Sequence, residues 1–174
     1  MHQKNNKLIT SLDSLLELCN SFRASGKKII MTNGCFDIIH TGHIYLLTEA
    51  KKLGDLLVVA LNSDSSVKLN KGDVRPINSD IDRAYVLSAI QNVDYIIIFN
   101  EKTPEEIIST ILPDILVKGS DYKDKHIAGQ KCLEKHGKKI ALIDLVEGKS
   151  TTELINKIDK FCLLYTSDAA DDVL

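Results

Sequence analysis

Short apolar runs alternate with amphipathic segments along most of the chain. Five runs are apolar at nearly every position and are three to six residues long: 29–31, 56–61, 95–99, 115–117 and 140–145. Runs that are apolar at consecutive positions predict strands that are buried on both faces of a sheet. Buried strands of this kind are typical of parallel sheets, which need crossover connections between them.

Segments with a helical period lie between and after these runs. They cover about residues 43–53, 80–91, 104–112, 126–136 and 151–161. The alternation of strands and helices predicts an α/β fold, a doubly wound parallel sheet with helices on both faces. Such sheets bind ligands at the carboxyl ends of their strands, so polar residues that directly follow an apolar run are the first candidates for a site.

A further amphipathic segment, residues 11–23, precedes the first run. Its apolar side carries Leu12, Leu15, Leu16, Leu18 and Cys19. We expect this helix to pack on the domain, and a contact with a second copy of the chain is the alternative. The predicted organisation is therefore an N-terminal helical extension over residues 1–27, followed by one domain over residues 28–161.

Residues 162–174 have a different character from the rest of the chain. Their sequence C-L-L-Y-T-S-D-A-A-D-D resembles the in-frame translation of a sequencing-library adapter, and a native acidic tail is the alternative. With either origin we expect no functional residue in this segment. If the adapter origin is right, the native C-terminus is missing.

Composition and charge exclude several classes of function. A net charge of −2 offers no basic face for nucleic acid or an anionic membrane. No apolar run approaches the roughly 20 residues of a membrane span, and Met1–Lys7 lacks the apolar core of a signal peptide. The four cysteines are not spaced like a disulfide framework or a metal site. The chain is therefore expected to be cytoplasmic, with free thiols.

The segment between the first apolar run and the next helix carries the strongest candidate chemistry. It reads T-N-G-C-F-D-I-I-H-T-G-H over residues 32–43. Gly34 lets the backbone come close to a ligand, and free N–H groups at a helix start attract phosphate. His40 and His43 can donate hydrogen bonds into the same site. The motif therefore predicts a place that holds a polyphosphate while one phosphorus atom is attacked.

The run G-x-F-D-x-x-H-x-G-H resembles the signature of the cytidylyltransferase-like nucleotidyltransferases. Its longer form T-N-G-C-F-D resembles the heptose adenylyltransferase branch, which occurs alone or joined to a heptose kinase. The resemblance implies a Rossmann-like fold of the HxGH type, with His40 and His43 as catalytic residues. It also implies a set of nucleotide-binding residues in this motif: Thr32, Asn33, Gly34, Cys35, Phe36, Asp37 and Gly42.

Two polar segments follow the second apolar run. Asn62 and Asp64 stand where that run ends, and the family carries the same N-S-D run, so we expect them to line the site rather than only to form a turn. Residues 67–76 carry three cations without a regular apolar period, and they resemble the S-V-K-x-x-K-G-x-x-R-P run of the heptose enzymes. This implies a mobile cationic flap over the triphosphate, with Lys71 as its catalytic residue; a solvated loop is the alternative.

Two more segments complete the site that the resemblance implies. Arg83 matches an arginine of the family that contacts phosphate, and a surface salt bridge is the alternative for it. The run L-P-D-I-L-V-K-G-S-D-Y over residues 112–122 resembles the family's L-P-D-x-L-V-K-G-x-D-Y. By this resemblance Lys118, Gly119 and Asp121 contact the nucleotide.

The run E-G-K-S-T-T precedes the last helix and resembles the family's G-x-S-T-T. This implies that Ser150, Thr151 and Thr152 bind the β- and γ-phosphates. Ser150 and Glu153 also have the spacing of a capping box. Both roles are compatible, because hydroxyls and the N–H groups of a helix start all donate to an anion.

The resemblance implies a reaction in which AMP passes from ATP to D-glycero-β-D-manno-heptose 1-phosphate, giving ADP-heptose and pyrophosphate for lipopolysaccharide or related glycans. No metal-ligand spacing is visible, so Mg²⁺ is expected to arrive with the nucleotide. Expected partners are the small-molecule substrates, a second copy of the chain in a homodimer, and a separate heptose kinase of the same pathway.

The alternatives are a cytidylyltransferase for glycerol 3-phosphate or another polyol phosphate, and a nucleotide-binding module without catalysis. Asn33 and Cys35 of the first motif, the segment 103–122 and residues 127–129 resemble the heptose enzymes most closely and favour ATP with heptose 1-phosphate.

Overall fold

A six-stranded parallel sheet forms the centre of the computed structural model, which describes residues 7–146 and 148–168. Its strands are β1 (Leu8–Ile9), β2 (Ile29–Gly34), β3 (Leu56–Asn62), β4 (Tyr95–Phe99), β5 (Ile115–Gly119) and β6 (Lys139–Ile143). They lie in the spatial order β1-β4-β3-β2-β5-β6, and all neighbouring pairs are parallel. The chain winds outward in one direction from β2 and in the other from β5, so a ligand crevice is expected where these two strands end.

Helices connect the strands on both faces of the sheet. They are α1 (Leu12–Ala24), α2 (Thr41–Lys51), α3 (Asp64–Lys71), α4 (Asp80–Ser88), α5 (Glu105–Ile111), α6 (Gln130–Lys135) and α7 (Thr151–Asp168), with a 3₁₀ turn at Ser120–Tyr122. One apolar cluster around Met31 and Ile108 lies on one face, and a second around Leu47 and Val59 lies on the other. Burial on both faces explains the continuous apolar runs, and the predicted fold class is confirmed.

The five predicted strands are confirmed, but β2 and β5 are longer than their apolar runs. β2 pairs with β3 as far as Gly34, and β5 pairs with β6 as far as Gly119. The strands continue because the backbone ladder does not require an apolar side chain. Polar residues such as Asn33 and Lys118 are therefore part of the sheet edge itself.

Two elements of the fold were not predicted from the sequence. β1 has only two residues, which pair with Ile96 and Ile97 of β4. A strand this short is too brief for an alternating pattern of apolar residues to be recognised in the sequence. The helix α3 covers Asp64–Lys71, so the prediction of a segment without regular structure is wrong over 67–71. This helix begins because the Ser63 side chain accepts a hydrogen bond from Ser66 N, and it is too polar and short for an apolar stripe to reveal it.

α1 packs on the domain, as expected. Leu15 and Cys19 on its apolar side are fully buried, and Arg23 near its end donates hydrogen bonds to the carbonyls of Ile111 and Leu112. Residues 8–24 thus share the sheet and the hydrophobic core with the rest of the fold.

The last helix runs further than the sequence predicts. α7 ends at Asp168 rather than at Phe161, so it enters the segment that resembles an adapter translation. Residues 169–174 of that segment lie outside the described residues. Within residues 7–146 and 148–168, no helix combines the length and the apolar character that crossing a bilayer would require.

Candidate active site

Two adjoining cavities open at the carboxyl edge of the sheet. The large cavity, about 410 Å³, lies between Asn62, Lys71, Thr103 and Ala128. The small cavity, about 190 Å³, lies between Phe36, His43, Gly119 and Leu145. They share a wall formed by residues of β2, β5 and the 3₁₀ turn: Asn33, Gly34, Cys35, Lys118 and Tyr122. The two cavities therefore form one cleft at the point where the winding of the sheet reverses.

The start of α2 fixes both histidines of the H-x-G-H run. Nδ1 of His40 accepts a hydrogen bond from Gly42 N at 3.1 Å, and Nδ1 of His43 accepts one from His40 N at 3.4 Å. This is a capping box made by two imidazoles. An Nδ1 atom that accepts carries no proton, so each neutral ring has its proton on Nε2. Each ring therefore has one N–H donor, at Nε2, that can bind a ligand.

Neither histidine is charged at neutral pH. Their ring centroids are 3.9 Å apart. Burial lowers the pKa of His43 to about 4, and so do the charge that His40 carries when protonated and the charge of Lys71. Burial also lowers the pKa of His40, an effect that Glu153 opposes and Lys149 reinforces. The pair consists of neutral hydrogen-bond donors rather than cations.

The depressed pKa of His43 makes the fold sensitive to acid. Unfolded His43 takes up a proton near pH 6.5 and the folded residue only near pH 4, so the unfolded state binds more protons between these values. The folded state has its full stability with respect to His43 above pH 6.5, and it loses stability as the pH falls toward 4 because the unfolded chain is protonated first. We expect the free energy of unfolding to fall by on the order of 2 kcal/mol between pH 7 and pH 4.5 through this residue.

Urea unfolding of the wild type and of His43→Asn at both pH values measures this effect. The variant should lose less stability over the interval, because asparagine does not titrate. An equal loss in both proteins would contradict the prediction.

The start of α7 lies beside the start of α2. A Cβ atom at Gly42 would lie 3.2 Å from the carbonyl oxygen of Lys149, so the two backbones are in close contact. Ser150 Oγ accepts from Glu153 N, and Glu153 accepts from Ser150 N, both at 3.1 Å, which is the predicted capping box. Two helix N-termini therefore open side by side, and their N–H groups and hydroxyls form a strong environment for phosphate.

Lys118 and Asn33 present polar groups to both cavities. The side chain of Lys118 is buried, with its Nζ 4.7 Å from the centre of the Tyr122 ring. Burial lowers its pKa to about 8, although Asp121 and Cys35 oppose the shift. Among the described residues the Lys118 ammonium has no hydrogen-bond or ion-pair partner, and neither has the buried Oδ1 of Asn33. A ligand that donates to Asn33 Oδ1 would remove the cost of burying that atom unpaired, and an anion could pair with the Lys118 ammonium beside it.

Asp37 lies behind the cleft, which corrects its predicted role in binding nucleotide. Its carboxylate accepts hydrogen bonds from Ile77 N, Asn78 N and Arg75 Nε at 2.7–3.0 Å. Burial alone would raise the pKa of Asp37, but these hydrogen bonds outweigh it and the pKa is lowered. Asp37 therefore fastens the loop before α4 to the H-x-G-H motif.

Arg83 is also turned inward, which corrects its predicted contact with phosphate; the alternative, a salt bridge, is present, but its guanidinium is buried. Its side chain is 0% exposed and donates to Cys35 O at 2.6 Å, Asn62 O at 2.8 Å and Asn78 O at 3.0 Å. Its remaining nitrogen pairs with Asp64 at 2.7 Å, so Asp64 holds Arg83 and does not line either cavity. The position of Arg83 on the buried face of α4 was the signal in the sequence that could have revealed this.

The Thr32 side chain also bonds to the backbone. Its Oγ1 donates to Val117 O at 3.0 Å and links β2 to β5.

Position 119 has no room for a side chain. A Cβ at Gly119 would lie 2.7 Å from Asp121 Oδ1 and 2.7 Å from Leu145 Cδ2. Asp121 lines the small cavity and pairs with Lys125 at 3.2 Å.

The predicted site residues fall into three groups. Those that line the cavities are Thr32, Asn33, Gly34, Cys35, Phe36, His43, Asn62, Lys71, Lys118, Gly119 and Asp121. Those at the adjoining helix starts are His40, Gly42, Ser150, Thr151 and Thr152. Those behind the cleft are Asp37, Asp64 and Arg83.

Several residues that line the large cavity were not predicted as site residues from the sequence. These are Asn70, Lys102, Thr103, Pro104, Tyr122, His126 and Ala128. Most of them lie in loops that follow β4 and β5, and the position of these loops at the carboxyl edge of the sheet was the available signal.

Comparison with known proteins agrees with this geometry. The family model described as cytidylyltransferase-like matches residues 31–157, which include every residue that lines the two cavities. The chain is 49% identical to the bifunctional protein HldE of Wolinella succinogenes and 53% identical to that of Campylobacter fetus subsp. fetus, each over 150 residues. These alignments cover 86% of this chain and 31% of each relative, so the chain spans about a third of the length of these curated relatives.

A solved structure is similar as well. The lipopolysaccharide core biosynthesis protein from Thermoplasma volcanium GSS1 is 32% identical, with a TM-score of 0.56. The match covers 70% of this chain and 98% of that one.

Proposed function

The chain belongs to the cytidylyltransferase-like family, and from that premise we propose that it transfers AMP from ATP to D-glycero-β-D-manno-heptose 1-phosphate, with release of pyrophosphate. One observation carries the proposal: His40 and His43 engage their Nδ1 atoms at the start of α2, which leaves Nε2–H of each ring as a donor beside the start of α7, with His43 in the lining of the small cavity. Two adjacent helix starts with free donors are suited to holding a triphosphate beside a second substrate.

The proposed chemistry is a single displacement at phosphorus. An oxygen of the sugar phosphate forms a bond to the α-phosphorus, and the bond from that phosphorus to the oxygen bridging to the β-phosphate breaks. The bonding electron pair leaves with pyrophosphate. His40 and His43 donate to the α-phosphate and to the bridging oxygen as negative charge develops there. Catalysis then consists mainly of positioning and of stabilising this charge.

Other residues hold the substrates in line. The charge of Lys71 contributes to the lowered pKa of His43, and this supports a role for its ammonium at the attacked phosphate. Ser150, Thr151 and Thr152 at the start of α7 would bind the pyrophosphate portion, while Lys118 would contact the nucleotide from the shared wall of the cavities.

Mg²⁺ fits this arrangement as a companion of ATP. The groups at the cleft that would meet the triphosphate are imidazole, ammonium and hydroxyl groups, which bind phosphate oxygens rather than a cation. Within the described residues no group of three or more histidines, cysteines or carboxylates could hold a metal ion. Bound to the triphosphate, Mg²⁺ would neutralise part of its charge.

The choice of ATP and heptose over CTP and glycerol 3-phosphate rests on the lining of the large cavity and on the relatives. The amide nitrogens of Asn62 and Asn70 donate within the protein, so their amide oxygens and the Thr103 hydroxyl are the polar groups that suit a sugar with many hydroxyls there. A smaller polyol would leave some of these groups unpaired, and sites reject ligands for that reason. Similarity to HldE proteins and to a lipopolysaccharide biosynthesis protein supports the same choice.

The test is a matrix of two nucleotides and two acceptors, read by release of pyrophosphate. We expect ATP with heptose 1-phosphate to be turned over fastest, and His43→Ala to serve as the inactive control. Faster turnover of CTP with glycerol 3-phosphate would overturn the substrate assignment. No turnover with any pair would favour a binding module without catalysis.

The proposed reaction also implies partners and a compartment. A kinase that phosphorylates heptose at the anomeric carbon must supply the acceptor, and we propose that it works in the same pathway. We further propose a cytoplasmic location, where ATP and sugar phosphates are found, and a homodimer, which sedimentation analysis can test.

A further inference from the structure

We propose that Cys35 is a thiol modification site in the cleft, which reacts with small disulfides that carry anionic groups and is thereby able to block the cleft reversibly. The proposed transfer of AMP does not use this sulfur as a reacting group. The inference therefore goes beyond the proposed function.

The position of Cys35 gives a small reagent access to its sulfur. Cys35 directly follows the last residue of β2, is half-buried and belongs to the wall that both cavities share. Its carbonyl oxygen accepts a hydrogen bond from the buried Arg83 at 2.6 Å, which fixes the backbone at this position. A reagent that enters either cavity therefore reaches a thiol whose backbone is held in place.

Lys118 brings a positive charge to the same wall. It is 6% exposed and, among the residues that the structure describes, its ammonium has no hydrogen-bond or ion-pair partner. Burial lowers the pKa of Lys118 to about 8, Asp121 opposes that shift, and so does a negative charge on the Cys35 sulfur. The lysine and the thiol are therefore within electrostatic reach of each other. A buried ammonium without a partner attracts an anion, and it does so here at the wall that carries the thiol.

The other charges of the cleft favour the same class of reagent. Lys71, Lys102 and His126 also line the large cavity, and none of the described residues of that lining is a carboxylate. Asp121 of the small cavity is the only carboxylate among the described residues that line the two cavities, and it pairs with Lys125 at 3.2 Å. The cleft therefore concentrates an anionic disulfide relative to a neutral one.

Two other thiols of the fold lack this combination of access and charge. Cys19 is fully buried, and burial raises its pKa to about 11, so it is unreactive in the folded protein. Cys132 is half-buried on α6, with its sulfur 3.8 Å from Nδ1 of His136, and it lines neither cavity. Cys132 is therefore the internal comparison, a partly accessible thiol outside the cleft.

The proposed step is thiol–disulfide exchange. The Cys35 sulfur, as a thiolate, attacks one sulfur of the reagent; a new S–S bond forms and the S–S bond of the reagent breaks. The bonding electron pair leaves with the second half of the reagent, which is reduced to a thiolate while Cys35 is oxidised, and the proton of Cys35 passes to solvent. An excess of a small thiol reverses the exchange. While it is attached, the first half of the reagent occupies the wall that both cavities share and excludes other ligands.

Two aromatic disulfides that differ in charge test the site: dithiobis(nitrobenzoate), which is anionic, and dipyridyl disulfide, which is neutral. Absorbance of the released thiol gives the rates, and mass spectrometry of peptides identifies the modified cysteine. We expect the ratio of the anionic rate to the neutral rate to be about 10-fold higher at Cys35 than at Cys132. Equal ratios at the two cysteines would refute the proposal.

A lysine variant tests the source of this preference. Lys118→Gln should slow the modification of Cys35 by the anionic disulfide about 10-fold and leave the rate with the neutral disulfide nearly unchanged. Lys68→Gln changes an exposed lysine of α3 that lines neither cavity, and it should react like the wild type. An equal slowing of both disulfides in Lys118→Gln would contradict the role of its charge.

Calorimetric titration measures whether modification blocks the cleft. The nucleotide that the wild type binds, ATP or CTP, should no longer bind to the modified protein and should bind again after treatment with dithiothreitol. Cys35→Ser should give the same titration before and after exposure to the disulfide. Nucleotide binding that survives the modification of Cys35 would overturn the blocking effect. Wild-type protein that does not turn over heptose 1-phosphate would refute the proposed function alone, because the rates of modification do not depend on turnover.

Discussion

Alanine at His43 is expected to lower kcat by about 10²–10³-fold, the range found when one donor to a transition state is removed. The ring donates through Nε2 while its Nδ1 is engaged by His40 N, so the side chain is already oriented before substrate arrives. Charge on the α-phosphate grows as the reaction proceeds, and a fixed donor therefore stabilises the transition state more than the bound substrate. We expect a much smaller change in KM than in kcat.

His40 should give a similar loss, but it needs a different substitution. Its side chain caps α2, and alanine there would cost about 1 kcal/mol of stability in addition to the donor. His40→Asn keeps a good capping residue and shortens the side chain, so it separates the two roles. His136→Ala, an exposed histidine just after α6, is the control and should remain fully active. Turnover near the wild-type rate in either active-site variant would remove that histidine from the mechanism.

The sequence predicted those parts of the fold in which burial dictates composition. β3 is buried at all seven positions, and its continuous apolar run predicts a buried strand directly. α3 and β1 were missed for the opposite reason. α3 is held by the cap at Ser63 and by polar contacts to the β4–α5 loop, and β1 adds only two residues to the sheet edge. Neither leaves an apolar period in the sequence.

The placement of a candidate site residue could be predicted where it follows from the sheet. His43 and Lys118 face the cleft because a strand end or a helix start at the carboxyl edge places them there. Asp37 and Arg83 were assigned to the ligand and instead hold the loops beneath it. Sequence patterns do not reveal which way a charged side chain turns, because its partners here are mostly backbone groups that every residue carries.

The second large effect is expected at Arg83, where methionine should lower the free energy of unfolding by about 3–5 kcal/mol. The guanidinium satisfies three carbonyls, those of Cys35, Asn62 and Asn78. Methionine fills much of the same volume but donates nothing, so these carbonyls lose their partner at a site where the Arg83 side chain excludes water. Asp64 also loses its partner, although its own exposure of 39% lets water replace part of that interaction.

Thermal and urea unfolding measure the loss, and two further variants show where it comes from. Asp64→Asn keeps the three carbonyl contacts and should cost about 1 kcal/mol or less, since the carboxylate is partly exposed. Arg83→Lys keeps the charge with a single ammonium that does not span the fork of the guanidinium, so its loss should be intermediate. If Arg83→Met were no less stable than Asp64→Asn, the ion pair rather than the carbonyl contacts would be the source of the effect. The ordering expected here follows from geometry, because one side chain joins the ends of β2 and β3 to the start of α4 and so supports the walls of both cavities from below.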